Sequence, residues 1–198
     1  MSSNKIGIII LAAGSSSRLG QAKQLLKFKE KTLLEISLHA AHGSMADQMV
    51  LVLGANLNQI QQEINLAPYE VVINNDWNSG MASSMQTGLR HLLQQQKFDA
   101  VILMISDQPF IEPNTINLLI NKYLNSKKGI ITSTYQDTFG VPVLFDQKYF
   151  NELLELKSKE GAKKIIYKHL DDIEKVDFPK GAVDIDTPED YAKLINSQ

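Results

Sequence analysis

Five charged side chains in three separate stretches carry the chemistry this sequence offers: Arg18, Lys23, Asp107, Asp184 and Asp186. The first stretch, Leu11-Ala12-Ala13-Gly14-Ser15-Ser16-Ser17-Arg18-Leu19-Gly20-Gln21-Ala22-Lys23, leaves an apolar run and is built of small residues. Backbone amides in such a loop can converge on an anion. Arg18 adds a planar fork and Lys23 a point charge, two complementary ways of holding phosphate oxygens. The spacing is neither that of a Walker loop nor that of G-x-G-x-x-G, because Gln21 follows Gly20 and no glycine pair flanks a single residue. The competing explanation is a surface turn with two solvated cations. Its place directly after the first buried strand weighs against that.

Ser106-Asp107-Gln108-Pro109 follows the apolar run Ala100–Ile105. Ligands of open α/β sheets bind at the carboxyl ends of strands, and an aspartate there can hold Mg²⁺ together with substrate phosphates. A turn aspartate ahead of proline is the alternative. In Val183-Asp184-Ile185-Asp186 the alternation directs both carboxylates to one face, which is costly without a cation. A solvated turn next to a helix cap is again the alternative. If the chain folds these aspartates onto Asp107, the three form one metal-binding cluster. The loop from Asn74 to Ser84 is rich in small and polar residues whose hydroxyls and amides could read a base or ribose. Trp77, the sole tryptophan, is expected to anchor this loop to the core. His39, His42, His91 and His169 show no metal spacing and read as surface or packing residues. Without a legible Ser-His-Asp arrangement, hydrolase chemistry gains little support.

The elements that must position these groups follow from hydrophobic patterning. Ile6–Leu11, Met49–Leu53, Glu70–Ile73, Ala100–Ile105 and Gly129–Thr134 read as strands, with Thr32–Ala46, Leu57–Leu66, Met81–Gln95 and Pro113–Leu124 as helices between them. The first, third and fourth of these strands have almost no polar alternation, which implies burial of both faces in a parallel sheet. The expected fold is therefore α/β: a three-layer α/β/α sandwich with a mainly parallel, Rossmann-like sheet and Ile6–Leu11 inside it. Further on, Val141–Phe145 and Ile173–Phe178 read as strands and Tyr149–Lys157 and Ala162–Leu170 as helices. Thr187-Pro188-Glu189-Asp190 has the residues of a helix start. No linker composition divides the chain, so residues 1–198 are expected to form one domain.

Composition narrows the function classes. The 198 residues carry 20 basic and 22 acidic side chains, a net charge of −2 that argues against a nucleic-acid-binding protein. With no cysteine, disulfides and thiolate chemistry are excluded. The longest apolar run, Ile6 to Ala13, is far short of the ~20 residues that cross a bilayer, so no membrane partner is expected and the expected location is cytoplasmic.

Taken together, LAAGSSSRLGQAKQLL, NNDWNSGMASSMQTGL, SDQPFI, FGVPVLF and VDIDTPEDY resemble, in order and over nearly the whole chain, the molybdopterin-guanylyltransferase-like nucleotidyltransferases. Within that family the likeness is greatest to the molybdenum cofactor cytidylyltransferases, because Ala12-Ala13 stands where guanylyl-transferring members have Gly-Gly. The resemblance implies a nucleotide-diphospho-sugar-transferase-like fold. It also implies Mg²⁺-dependent transfer of CMP from CTP to molybdopterin carrying molybdenum, with release of pyrophosphate. Carried over by position, Leu11, Ala12, Ala13, Gly14, Gly80, Ser83 and Ser84 would contact the nucleoside. Arg18 and Lys23 would hold the triphosphate, Asp107 would serve nucleotide and metal, and Asp186 or Asp184 would be the second metal ligand. Arg18, Lys23 and Asp107 are the expected catalytic residues. Ser158–Lys163 is similar to the family's acidic-Gly-Ala-Arg stretch, with lysine for arginine, in the acceptor-facing third. A molybdenum hydroxylase is a further expected partner. Two alternatives stay open at this point: nucleotidyl transfer to a sugar phosphate or other phosphomonoester, and a non-catalytic protein that delivers the finished cofactor.

Overall fold

The computed structural model describes residues 4–157 and 160–196, so Ser158 and Lys159 of the acceptor-side motif lie outside the described residues. The strands are β1 (Ile6–Leu11), β2 (Lys27–Phe28), β3 (Lys31–Thr32), β4 (Gln48–Leu53), β5 (Val71–Ile73), β6 (Ala100–Ile105), β7 (Ile130–Tyr135), β8 (Thr138–Asp146) and β9 (Ile173–Asp177). The helices are α1 (Leu33–His42), α2 (Leu57–Glu63), α3 (Met81–Gln95), α4 (Pro113–Asn125), α5 (Phe150–Leu154), α6 (Lys163–Lys168) and α7 (Pro188–Asn196). Seven strands form one sheet in the order β5-β4-β1-β6-β8-β7-β9, while β2 and β3 make a separate hairpin.

Four of the six pairings in the large sheet are parallel, and β1 lies between β4 and β6 as expected. Strand β8 runs antiparallel to both its neighbours. The cause is local. Only Gln136 and Asp137 connect β7 to β8, both with φ near +50° (47° and 58°), and a two-residue turn of this kind permits only a hairpin.

Successive side chains of β1 explain the three layers. Ile6, Ile8 and Ile10 pack with Leu34 and Leu38 of α1, Ile60 of α2 and Ile116 and Leu119 of α4. Ile9 faces the other way, onto Met85, Leu89 and Leu92 of α3, Leu153 of α5 and Ile165 of α6. Burial on both faces is why the strand reads as a continuous apolar run. Helix α1 begins with a capping box between Thr32 and Glu35 and ends at Gly43, earlier than the expected Ala46. Helix α7 begins the same way: the Asp190 amide donates to Thr187 Oγ1 at 3.2 Å, and the Thr187 amide donates to Asp190 Oδ2 at 3.0 Å. Among the described residues no helix is long and apolar enough to cross a membrane.

A third, smaller cluster bears directly on the site. Leu19 from the glycine-serine loop, Leu26, Phe28 and Leu33 pack with Ile185 and Leu194. Ile185 is fully buried there, so its neighbours Asp184 and Asp186 are turned out of the cluster together. The segment carrying them is extended but pairs with no strand.

Helix α3 meets the sheet at Gly88. A Cβ added there would lie 2.5 Å from Ile9 Cγ2 and 2.9 Å from Val52 Cγ2. Gly88→Ala should gain about 1 kcal/mol of helix propensity but lose more, up to about 3 kcal/mol, to overpacking. The expected result is a lower melting temperature in thermal unfolding. An unchanged or raised value would contradict so close an approach.

Candidate nucleotide site at the carboxyl edge of the sheet

β1, β4 and β6 run parallel, so the loops leaving their carboxyl ends share one edge of the sheet. A cavity of about 510 Å³ opens there, within the range of small-molecule sites. Leu11, Ala12, Ala13, Gly14, Arg18 and Lys23 line it from the first loop, Asp107 from the end of β6, and Asp184 and Asp186 from the C-terminal segment. Gly80 and Ser84 line it from the start of α3. Of the expected site residues only Ser83 is not in the wall. Its hydroxyl donates to the Gly80 carbonyl at 2.8 Å and accepts from Asn74 Nδ2 at 2.8 Å, which fixes the turn into α3.

The charged groups form a chain, Asp107–Lys23–Asp186–Arg18. Lys23 Nζ contacts Asp107 Oδ2 and lies 3.2 Å from Asp186 Oδ1, while Arg18 Nη2 lies 2.6 Å from Asp186 Oδ2. Asp107 is 5% exposed, and its second oxygen, Oδ1, is buried without a hydrogen-bond partner. Burial pushes the Asp107 pKa up, against the pull of Lys23, and the charges of Asp184 and Asp186 push the same way. For Lys23, burial alone would lower the pKa, but Asp107 and then Asp186 outweigh it and hold the ammonium above its ordinary value. Among the described residues no three His, Cys, Asp or Glu are arranged to hold a metal by themselves. The three-carboxylate cluster that Asp107, Asp184 and Asp186 were open to forming is therefore not made, although all three line the cavity.

Two buried amides that sequence reading missed hold the loops in place. Gln24 is 1% exposed and donates through Nε2 to the carbonyls of Ala12 at 2.9 Å and Gly14 at 3.0 Å. Ser16, in a left-handed conformation with φ 55°, accepts at Oγ from the Lys23 amide at 3.0 Å, fixing the base of the lysine. Asn74 donates to both Ser83 and Ser84 and accepts from the Asp76 amide. The signal available in the sequence was thin: a glutamine directly ahead of two leucines, and an asparagine directly after a strand.

Trp77 corrects an expectation. It belongs to none of the core clusters and is 36% exposed in the cavity wall, beside Met81, which is 57% exposed. The loop itself is held close to the sheet: a Cβ at Gly54 would lie 2.7 Å from Trp77 Cβ and 2.9 Å from Ala13 Cβ, so the backbone around Trp77 approaches over a glycine while the ring stays in the cavity wall. The wall thus combines apolar and charged side chains. The histidines stay out of it, with His91 on Glu70 at 2.6 Å and His169 on Glu152 at 2.9 Å.

An open, mostly parallel sheet with this cavity at its carboxyl edge, lined by a small-residue loop, two cations and aspartates, has the architecture of a nucleotidyltransferase. Residues 8–173 match the family model of the MobA-like NTP transferase domain, and the chain belongs to that family. It is 31% identical over 135 residues to nicotine blue oxidoreductase of Paenarthrobacter nicotinovorans, a match that spans 68% of this chain and 63% of that relative's length. It is 24% identical to molybdenum cofactor cytidylyltransferase of Escherichia coli over 94% of this chain and 93% of the relative. Among solved structures it resembles Rv0371c of Mycobacterium tuberculosis H37Rv at 28% identity and a TM-score of 0.84, covering 98% of this chain and 100% of that one. A manganese complex of Rv0371c aligns with a TM-score of 0.80 at 27% identity, covering 98% and 100% of the two chains.

Gln24→Ala leaves two loop carbonyls without their buried donor. Loss of about 1–3 kcal/mol of stability is expected from denaturant unfolding, together with a raised KM for nucleotide because the loop loses its shape. A variant as stable as the wild type would show that the loop holds itself.

Proposed function

We propose that this nucleotidyltransferase moves CMP from CTP to molybdopterin carrying molybdenum, forming the cytosine dinucleotide cofactor and pyrophosphate, with Mg²⁺. The observation that carries the reading is the make-up of one cavity wall, which combines exposed Trp77 and Met81 with Arg18, Lys23, Asp107 and Asp186. That combination suits a nucleoside triphosphate: an aromatic ring for a planar base and cations for phosphates. The likeness to the cytidylyltransferase over nearly the whole chain supports the choice of acceptor.

The residues fit a single displacement. A phosphate oxygen of the acceptor attacks the α-phosphorus in line, the bond from that phosphorus to the bridging oxygen breaks, and pyrophosphate leaves. Catalysis here is positioning and charge. A phosphomonoester is already ionised near neutral pH, so no side chain has to remove a proton. Arg18 and Lys23 would hold the triphosphate and offset charge that grows on the leaving pyrophosphate. Asp107, with its unpartnered buried Oδ1, fits a divalent metal, which commonly takes one or two carboxylates and completes its shell with phosphates. Asp186 is the second ligand in this reading, since it converges with Asp107 on one point, the Lys23 ammonium. When bound, the metal supplies charge neutralisation at the phosphate oxygens. The Ala13 methyl, in the cavity wall, would leave less room for a base than a glycine and favour a pyrimidine, a difference of about 1–3 kcal/mol.

The direct test is pyrophosphate release with each nucleoside triphosphate, with and without molybdopterin. CTP with molybdopterin should be the best pair. Turnover with GTP at least as fast would refute the base assignment, and faster turnover with a sugar phosphate would refute the acceptor. Asp107→Asn keeps the size but loses the charge, and should fold while losing roughly 10²–10³-fold in turnover. Asp186→Asn should behave alike and Asp184→Asn more mildly. Near-normal turnover in Asp107→Asn would reduce this aspartate to a turn residue.

Because Trp77 is the only tryptophan, its fluorescence reports on this part of the cavity wall alone. CTP should quench it in the wild type. An unchanged signal at saturating CTP would place the base elsewhere.

A further inference from the structure

The groups assigned to the triphosphate and those assigned to the metal are bound to each other. Lys23 Nζ lies between Asp107 Oδ2 and Asp186 Oδ1, and Arg18 takes the remaining oxygen of Asp186. Two positive and two negative charges thus pair at the edge of the cavity, with Asp184 a third carboxylate in the same wall, and one of the paired groups, Asp107, is almost wholly buried. Resting on the metal-nucleotide reading above, we infer that the Lys23 ammonium is a stand-in cation that occupies the point between the two carboxylates until a divalent metal arrives together with nucleotide.

The consequence is an exchange of partners. A divalent ion arriving alone takes the carboxylates but strands Arg18 and Lys23 without counter-charges. A nucleotide arriving alone takes the cations but leaves two aspartates facing a triphosphate. Only the two together leave all four of these groups paired: the two carboxylates on metal, the two cations on phosphates. Metal and nucleotide binding are therefore coupled through Lys23, and by linkage the coupling is reciprocal. Lys23 is a positioning residue in this role, separate from its contact with the triphosphate. It keeps the acidic pair assembled and prevents occupation by metal alone.

The test uses Mn²⁺ without nucleotide, read as free Mn²⁺ by electron paramagnetic resonance, on the wild type, Lys23→Met and a charge control. Lys97→Met is the control, because Lys97 is exposed and precedes β6, at the sheet edge opposite the cavity. The wild type and Lys97→Met should bind Mn²⁺ weakly and alike. Lys23→Met should bind it on the order of tenfold tighter, within the usual range of coupling between sites. Its melting temperature should be lowered in chelator and restored by Mn²⁺, whereas a purely structural lysine would leave a loss that Mn²⁺ does not repair. Lys23→Gln serves the same purpose if the methionine variant does not fold. Equal Mn²⁺ affinity in the wild type and in the Lys23 variants overturns the inference, as does failure of all of them to bind the ion. If the Lys23 variants gain affinity while the wild type transfers nucleotide to no acceptor, the inference stands and the proposed reaction falls.

Discussion

The contact of Lys23 with Asp107 and Asp186 is the constraint on which the rest of the structure depends. Its members are 84 and 163 positions apart in the chain, so it forms only when the first loop, the end of β6 and the C-terminal segment meet at one edge of the sheet. Every larger feature serves that meeting. The parallel order β4-β1-β6 puts the loops on one edge. The small cluster around Leu19 and Ile185 pulls the last segment back across the molecule. Burial of Asp107 raises the cost of leaving its charge unpaired.

The same feature explains why so little conventional catalytic apparatus is needed. No histidine lines the cavity, and the chain has no cysteine. A phosphate nucleophile and a pyrophosphate leaving group ask for alignment and for charge at the departing oxygens, both of which fixed loops and cations supply. The loops are fixed by buried amides. Gln24 closes the first one onto its own carbonyls, and Asn74 ties two serines to the turn ahead of α3.

Much of this was legible in the sequence, for identifiable reasons. Ile6–Leu11 and Ala100–Ile105 read as buried strands because both faces meet helices, and the structure gives them the same bounds. Met81–Gln95 likewise matches α3 residue for residue. The alternation in Val183–Asp186 foresaw a shared face for the two aspartates, although the segment is not a strand. What stayed hidden depended on tertiary contacts. The reversal of β8 follows from two residues in a tight turn, which local patterning absorbs into a loop. Trp77 was expected to anchor its loop to the core, and only the assembled loops show it in the cavity wall instead. The pairing of Lys23 with carboxylates has no sequence signature at all.

In the proposed reaction the chain catalyses one in-line displacement at phosphorus by charge and position, without a nucleophile of its own. The stereochemical course tests this most directly. CTP made chiral at the α-phosphorus with sulfur should transfer its nucleotidyl group to the acceptor with inversion of configuration. Retention would reveal two displacements through a covalent nucleotidyl-enzyme, and would contradict the role assigned here to Lys23 and its aspartates.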